Sequence, residues 1–229
     1  IEFLMLFLAV FLGFLADNLR ESFLEKSKEE KYVRSLIEDI KTDQKILQAV
    51  IASNKKKKVL LDSLTQLCFK HTAQKDQTNA MYHYLPIVLE HPEFFIPNEL
   101  TILQLKNAGG LRLIHKQEAV EAIFNYELKK KLLEDQSVYY QNYQTTTINL
   151  GLKIFDLSQL RDMMTTVQQN GKSPQSMSFI TEDKGKLTEF ANLTSMYSGI
   201  ISYYIFLLIE TDKEAASLIA SLQMAYELN

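Results

Sequence analysis

Four histidines, one cysteine and a tight set of carboxylates are the side chains in this 229-residue sequence whose types could support metal or acid–base chemistry. His71, His83, His91 and His115 show no i,i+4 pairing and no partner cysteines, the spacing that zinc-binding helices bring. They are expected on loops and surfaces. Cys68 stands alone, so no internal disulfide and no multi-cysteine metal site is available. Glu38, Asp39 and Asp43 place three carboxylates within about one and a half helical turns. The Glu-x-x-His motifs of di-metal bundles are missing, so a solvated helix face is the expected reading, with Asp43 as the charged half of a seam layer. No phosphate loop, nucleophile elbow or kinase motif set occurs. No catalytic residue, metal or cofactor is assigned, and the chain is not expected to be an enzyme.

Two further features carry weaker chemistry. Tyr139, Tyr140, Asn142 and Tyr143 lie in a charge-free tract, residues 136–152, also rich in Gln and Thr. They could line a polar cavity for a sugar or small metabolite; the alternative is a core helix whose tyrosine hydroxyls find partners. The run Lys55, Lys56, Lys57, Lys58 sweeps most of a helix circumference, so the helix is expected to lie shallow there, with one lysine snorkelling past the seam.

Composition points to long helices. The chain is 46% hydrophobic and 23% charged, with only 7 Gly and 4 Pro, which argues against a turn-rich β fold. A net charge of -3 gives no basic field for nucleic acid.

The organising stretch is at the front. Residues 3–16 (FLMLFLAVFLGFLA) carry no charge, and the pattern then continues without proline to about residue 72. Fourteen residues fall short of the ~20 needed to cross a bilayer. The sequence opens on Ile1 rather than Met, so this block is expected to be the end of a longer transmembrane span. Beyond it, Val33, Leu36/Ile37, Ile40, Leu47, Val50/Ile51, Leu61, Leu64 and Cys68 recur in steps of three and four, the seam of a coiled coil or bundle helix. Asp43/Gln44, Asn54 and Lys57/Lys58 form polar layers in that seam, which can fix register and partner number.

Residues 73–115 are expected to be irregular, holding three of the four prolines. A short helix is expected at 79–85, and a second is capped by Asn98 and ended by Gly109 and Gly110. A long helix from Lys116 to about Val167 follows, bent at Gly151. Its expected buried stripe includes Val120, Ile123/Phe124, Leu128, Leu132 and Val138/Tyr139. Asn170-Gly171 should stop it. The last helix, from about Glu182, contains residues 190–209, free of charge and long enough to span. Its three tyrosines and several hydroxyls favour a bundle wall over a second span.

Several blocks together resemble a known family. Phe14-Leu15-Ala16-Asp17-Asn18-Leu19-Arg20-Glu21, then Tyr32-Val33-Arg34-Ser35-Leu36-Ile37-Glu38-Asp39-Ile40-Lys41, then Leu105-Lys106-Asn107-Ala108-Gly109-Gly110-Leu111-Arg112-Leu113-Ile114 and Ala122-Ile123-Phe124-Asn125-Tyr126 follow in order over residues 4–126. They resemble an uncharacterised single-span membrane-protein family of Bacteroidota. The resemblance implies a turn at Asn107, Gly109, Gly110 and Leu113. It also implies an inner-membrane location with residues 17–229 in the periplasm, and it supplies no catalytic residues.

The reading is therefore an all-α protein: a transmembrane anchor at 1–16 continuing into a bundle of long antiparallel helices at 17–229, with the irregular insert at about 73–115. The expected function is a membrane-anchored interaction or scaffold protein that self-associates or binds another membrane protein. A ligand-binding sensor domain and a pore subunit with a second span at 190–209 are the alternatives.

Overall fold

The computed structural model describes residues 2–70, 75–107, 109–170 and 176–228. The scarcity of glycine and proline is answered by long helices: α1 (Glu2–Lys70), α2 (Lys75–Tyr84), α3 (Pro86–Leu89), α4 (Leu100–Asn107), α5 (Gln117–Gly151), α6 (Leu157–Asn170) and α7 (Lys184–Tyr226), with a 3-10 turn at Gly110–Leu113. Of the described residues, 86% are helical. Among the described residues no strand forms, and a single antiparallel bridge joins Phe155 to Phe179. The region expected to be irregular is mostly helical, with no regular secondary structure at 91–99.

The chain divides into two compact units, Ile1–Ile46 with Ile96–Lys129 and Thr211–Asn229, and Leu47–Phe95 with Lys130–Glu210. α1 and α5 pass from the first unit into the second, and α7 passes back.

In the first unit, α1 buries Val33, Leu36, Ile37 and Ile40 against Ile102 and Leu105 of α4, Ala119, Ile123 and Tyr126 of α5, and Ala215, Leu218 and Leu222 of α7. The three-and-four spacing puts each set on one helix face. Asp39 corrects the expectation of a solvated carboxylate face, while Asp43 is buried at the seam position expected of it. The first amides of a helix have no partner within it, and here α1 supplies them. Asp39 Oδ2 accepts Thr101 N–H at 2.9 Å, and Asp39 Oδ1 accepts the Asn98 side-chain amide at 2.8 Å. Asp43, only 1% exposed, accepts Asn98 N–H at 2.6 Å and the Tyr126 hydroxyl at 2.7 Å. Carboxylates at a helix N-terminus also meet its positive dipole end. Asn98 adds the local cap foreseen for it, accepting Leu100 N–H at 3.3 Å.

In the second unit, Leu47, Val50, Ile51, Leu61, Leu64 and Cys68 of α1 are buried. Every apolar seam position of α1 is thus covered by its own chain. Two aromatic clusters fill the interior. Phe94, Tyr140, Tyr197 and Tyr204 meet edge-to-face at 5.2–5.6 Å. Phe155 meets Tyr82, Phe179 and Phe190 at 5.2–5.3 Å.

Two expectations need correcting here. The helix from Lys116 does not bend at Gly151 and continue; it ends there, and α6 starts at Leu157. A side chain at Gly151 would meet the Phe190 ring at 3.2 Å, and Phe155 turns inward to join that cluster. The buried stripe of α5 also differs. Phe124, Leu128, Leu132, Val138 and Tyr139 are exposed, while Ala119, Ile123, Tyr126, Lys130, Leu133, Tyr140, Gln144 and Thr147 are buried. Hydrophobicity misplaced the stripe because five of those eight buried positions are occupied by polar or hydroxyl-bearing side chains. The stop at Gly171 lies outside the described residues, as does His71.

Candidate functional site

Residues 3–28 of α1 are exposed at every position, and Glu29 is the first to be buried. Within this stretch the apolar window contains no buried residue, at a mean hydropathy of 1.8. Leaving this many Phe, Leu and Val side chains in water is far outside the exposed apolar area of an ordinary soluble surface. α7 also holds a window long and apolar enough to span, but 44% of it is buried inside the protein. Phe190, Tyr197, Ile201, Tyr204 and Leu208 take up its inner face. Length and composition admit both helices as spans; burial separates the freely exposed one from the one engaged in the bundle.

Glu29 marks the root of the exposed segment with a polar clasp. Its carboxylate accepts the His115 backbone N–H at 2.8 Å, contacts His115 Nδ1 at 3.1 Å and accepts the Tyr226 hydroxyl. Burial works against the charge of Glu29, yet the donors from Tyr226 and His115 hold its carboxyl below the usual range. The same contact raises the His115 imidazole. Lys116 closes the group: its ammonium donates to the Ala225 carbonyl and lies 5.1 Å over the Tyr226 ring. Nothing in the sequence flagged Glu29, which sits among mixed surface charges.

The second unit carries a buried polar grip on residues 88–95. Asn54 donates to the Glu93 carbonyl at 2.9 Å and accepts the Tyr140 hydroxyl at 3.0 Å. Gln144 donates to the Val88 and Glu90 carbonyls at 3.0 and 2.7 Å. Lys57 donates to the Glu90 carbonyl at 2.7 Å and lies 5.9 Å over the Tyr197 ring. Lys57 is only 5% exposed, which overturns the expectation that the lysine run keeps α1 shallow here. Burial lowers its pKa to about 8, against the opposing pull of Glu90 and Glu93. Lys55 and Lys56 stay exposed, and Lys58 pairs with Asp62 at 2.5 Å. The polar layers at Asn54 and Lys57 were legible as seam breaks; their use as a loop anchor was not.

The residues proposed to line a cavity do not face one space. Tyr140 is fully buried among aromatics, Tyr143 is half-buried, and Tyr139 and Asn142 are exposed. Successive helix residues diverge by about 100°, so adjacent tyrosines point apart. At the turn, Gly109 sits at φ +65°, the left-handed region open to glycine. Gly110 and Leu113 bound the 3-10 turn that follows. Asn107 borders a shallow hollow of about 460 Å³ with Tyr32, Leu100, Leu103 and Gln104. Among the described residues no group of three or more His, Cys, Asp or Glu side chains could hold a metal ion.

Fold and surface together define an all-helical protein with an apolar helix left uncovered by its own bundle. Comparison with protein-family models, curated proteins and solved structures finds no match to this chain.

Proposed function

We propose that this chain is a membrane-anchored helical scaffold or interaction protein, held at the bilayer by the exposed start of α1. The observation that supports it is the contrast along one helix: residues 3–28 are exposed at every position, and residues from Glu29 on bury side chains at regular spacing. No catalytic activity is assigned. On this reading α1 is the single span, and the charge-free part of α7 serves as a bundle wall. The resemblance to the Bacteroidota family adds an inner-membrane location with the folded part in the periplasm.

Because the α1 seam is filled from within the chain, a second copy or another membrane protein would have to engage a different surface. On α7, Met196, Tyr203 and Phe206 are exposed, with the last two rings stacked at 6.1 Å. The test is extraction. The full chain should stay with the membrane fraction through alkaline carbonate, and a Leu8→Arg, Phe11→Arg double variant should be released as a folded helical protein. Retention of that variant would remove the anchor reading. Protease treatment of spheroplasts then tests the sidedness, and mass measurement in detergent tests assembly.

A further inference from the structure

The uncharged block ends at Ala16, yet the exposed apolar surface does not. Leu19 and Phe23 are 71% and 76% exposed, and Leu24 is also open. Leu15, Leu19 and Phe23 follow at four-residue steps, which keeps them on one face of the helix. Asp17 and Glu21 lie on the opposite side, where Leu24 also falls, Asn18 and Arg20 flank the stripe, and Arg20 neutralises Asp17 in an ion pair at 3.1 Å. Beyond Leu24 the pattern changes abruptly: Glu25, Lys26, Lys28, Glu29, Glu30 and Lys31 leave only Ser27 uncharged.

We propose that the lipid contact of α1 extends through Leu24, with Leu15, Leu19 and Phe23 seated in the acyl–headgroup boundary and Asp17, Arg20 and Glu21 at the level of the headgroups. The occupant of this face is the phospholipid bilayer itself. Continuity selects it: the stripe runs on from the apolar block along the same unbroken helix, and it stops where the charge-dense run from Glu25 begins. An arginine near the end of a span reaches the headgroups with its stem still in apolar surroundings. The amphipathic turn tilts the helix so that its apolar side faces inward. This inference rests on the anchor reading above and moves the water boundary from residue 16 to residue 24.

The chain contains no tryptophan, so a single introduced indole reports its own surroundings. The experiment uses the full chain in phosphatidylcholine–phosphatidylglycerol vesicles with three single variants, Phe11→Trp, Phe23→Trp and Ile96→Trp. Lipids brominated near or far from the headgroup act as quenchers. Ile96 is exposed in the irregular segment at 91–99 and serves as the water reference. Phe11→Trp should be blue-shifted and quenched by deep bromines, and Phe23→Trp blue-shifted and quenched by shallow ones. If Phe11→Trp behaves as expected but Phe23→Trp emits like Ile96→Trp, the extension to Leu24 is overturned. A blue-shifted Phe23→Trp that no brominated lipid quenches also overturns it, because protein then covers the stripe. Unquenched Phe11→Trp would instead remove the anchor reading itself.

Discussion

Replacing Lys57 by methionine should stabilise the protein at neutral pH, although it deletes a hydrogen bond. The ammonium is buried, and desolvation lowers its pKa from 10.5 to about 8. At about 1.4 kcal/mol per pH unit, that interval corresponds to about 3 kcal/mol of penalty for keeping the charge in the fold. This is an upper bound, because a flexible stem lets the ammonium retain some water. Losing the bond to the Glu90 carbonyl returns about 1 kcal/mol, and that carbonyl keeps Gln144 as a donor at 2.7 Å. The net gain for Lys57→Met is therefore about 2 kcal/mol at pH 7. The sign with pH follows from a depressed folded pKa on a cation. The wild-type penalty is complete below pH 8 and fades as pH rises toward 10.5, where the unfolded chain also loses its proton. Urea unfolding of the full chain in detergent, followed by circular dichroism at pH 7 and pH 10, measures both terms. The variant should be ahead at pH 7, with its lead shrinking by more than half at pH 10. A variant less stable than wild type at pH 7, or a lead independent of pH, would refute the reasoning. Either result would mean that attraction to Glu90 and Glu93 outweighs desolvation.

Further outcomes are expected elsewhere. Asp43→Ala should cost about 3 kcal/mol by chemical denaturation, since it removes a buried charged acceptor serving Asn98 and Tyr126. Gly151→Ala should lose about 1–2 kcal/mol, because the added methyl would press on the fully buried Phe190 ring; an unchanged unfolding midpoint would contradict that contact. His115 should titrate by NMR above its ordinary value. Its stabilising contribution, present below about pH 6.5, should fade as pH rises through the raised value, whereas that of Glu29 should fade only as pH falls below about 4.5. Cys68, buried with its thiol pushed up to about 12, should resist maleimide at pH 8 in the native state and react on unfolding; rapid native labelling would show that its packing opens.

How much of this was readable from residue types depends on what buries each position. The α1 seam from Val33 to Cys68 was recoverable because apolar side chains at three-and-four spacing have one way to leave water. What closes that seam was not, since a helix face records that it is covered and says nothing of the partner. α5 failed for a related reason. Its inner face runs through Lys130, Gln144 and Thr147, which score as surface, while Phe124 and Leu128 score as core and stand outside. Gln144 is inside because carbonyls of the 88–90 segment need donors, a demand set by residues more than fifty positions away. The same distance hid the Glu29 clasp, which joins residues 29, 115 and 226. The Gly109 turn could be placed because the left-handed backbone requirement is local.

The way Asp39 and Asp43 hold the start of α4 couples that short helix to the rotational setting of α1. The two carboxylates are one turn apart on α1, so turning α1 by a single residue would swing both through about 100° and strand the amides of Asn98 and Thr101 together. A slide or twist imposed on α1 from its far end therefore cannot be absorbed silently at this point. The hydrogen bonds that hold the segment beginning at Asn98 are thus specific to one angular position of α1.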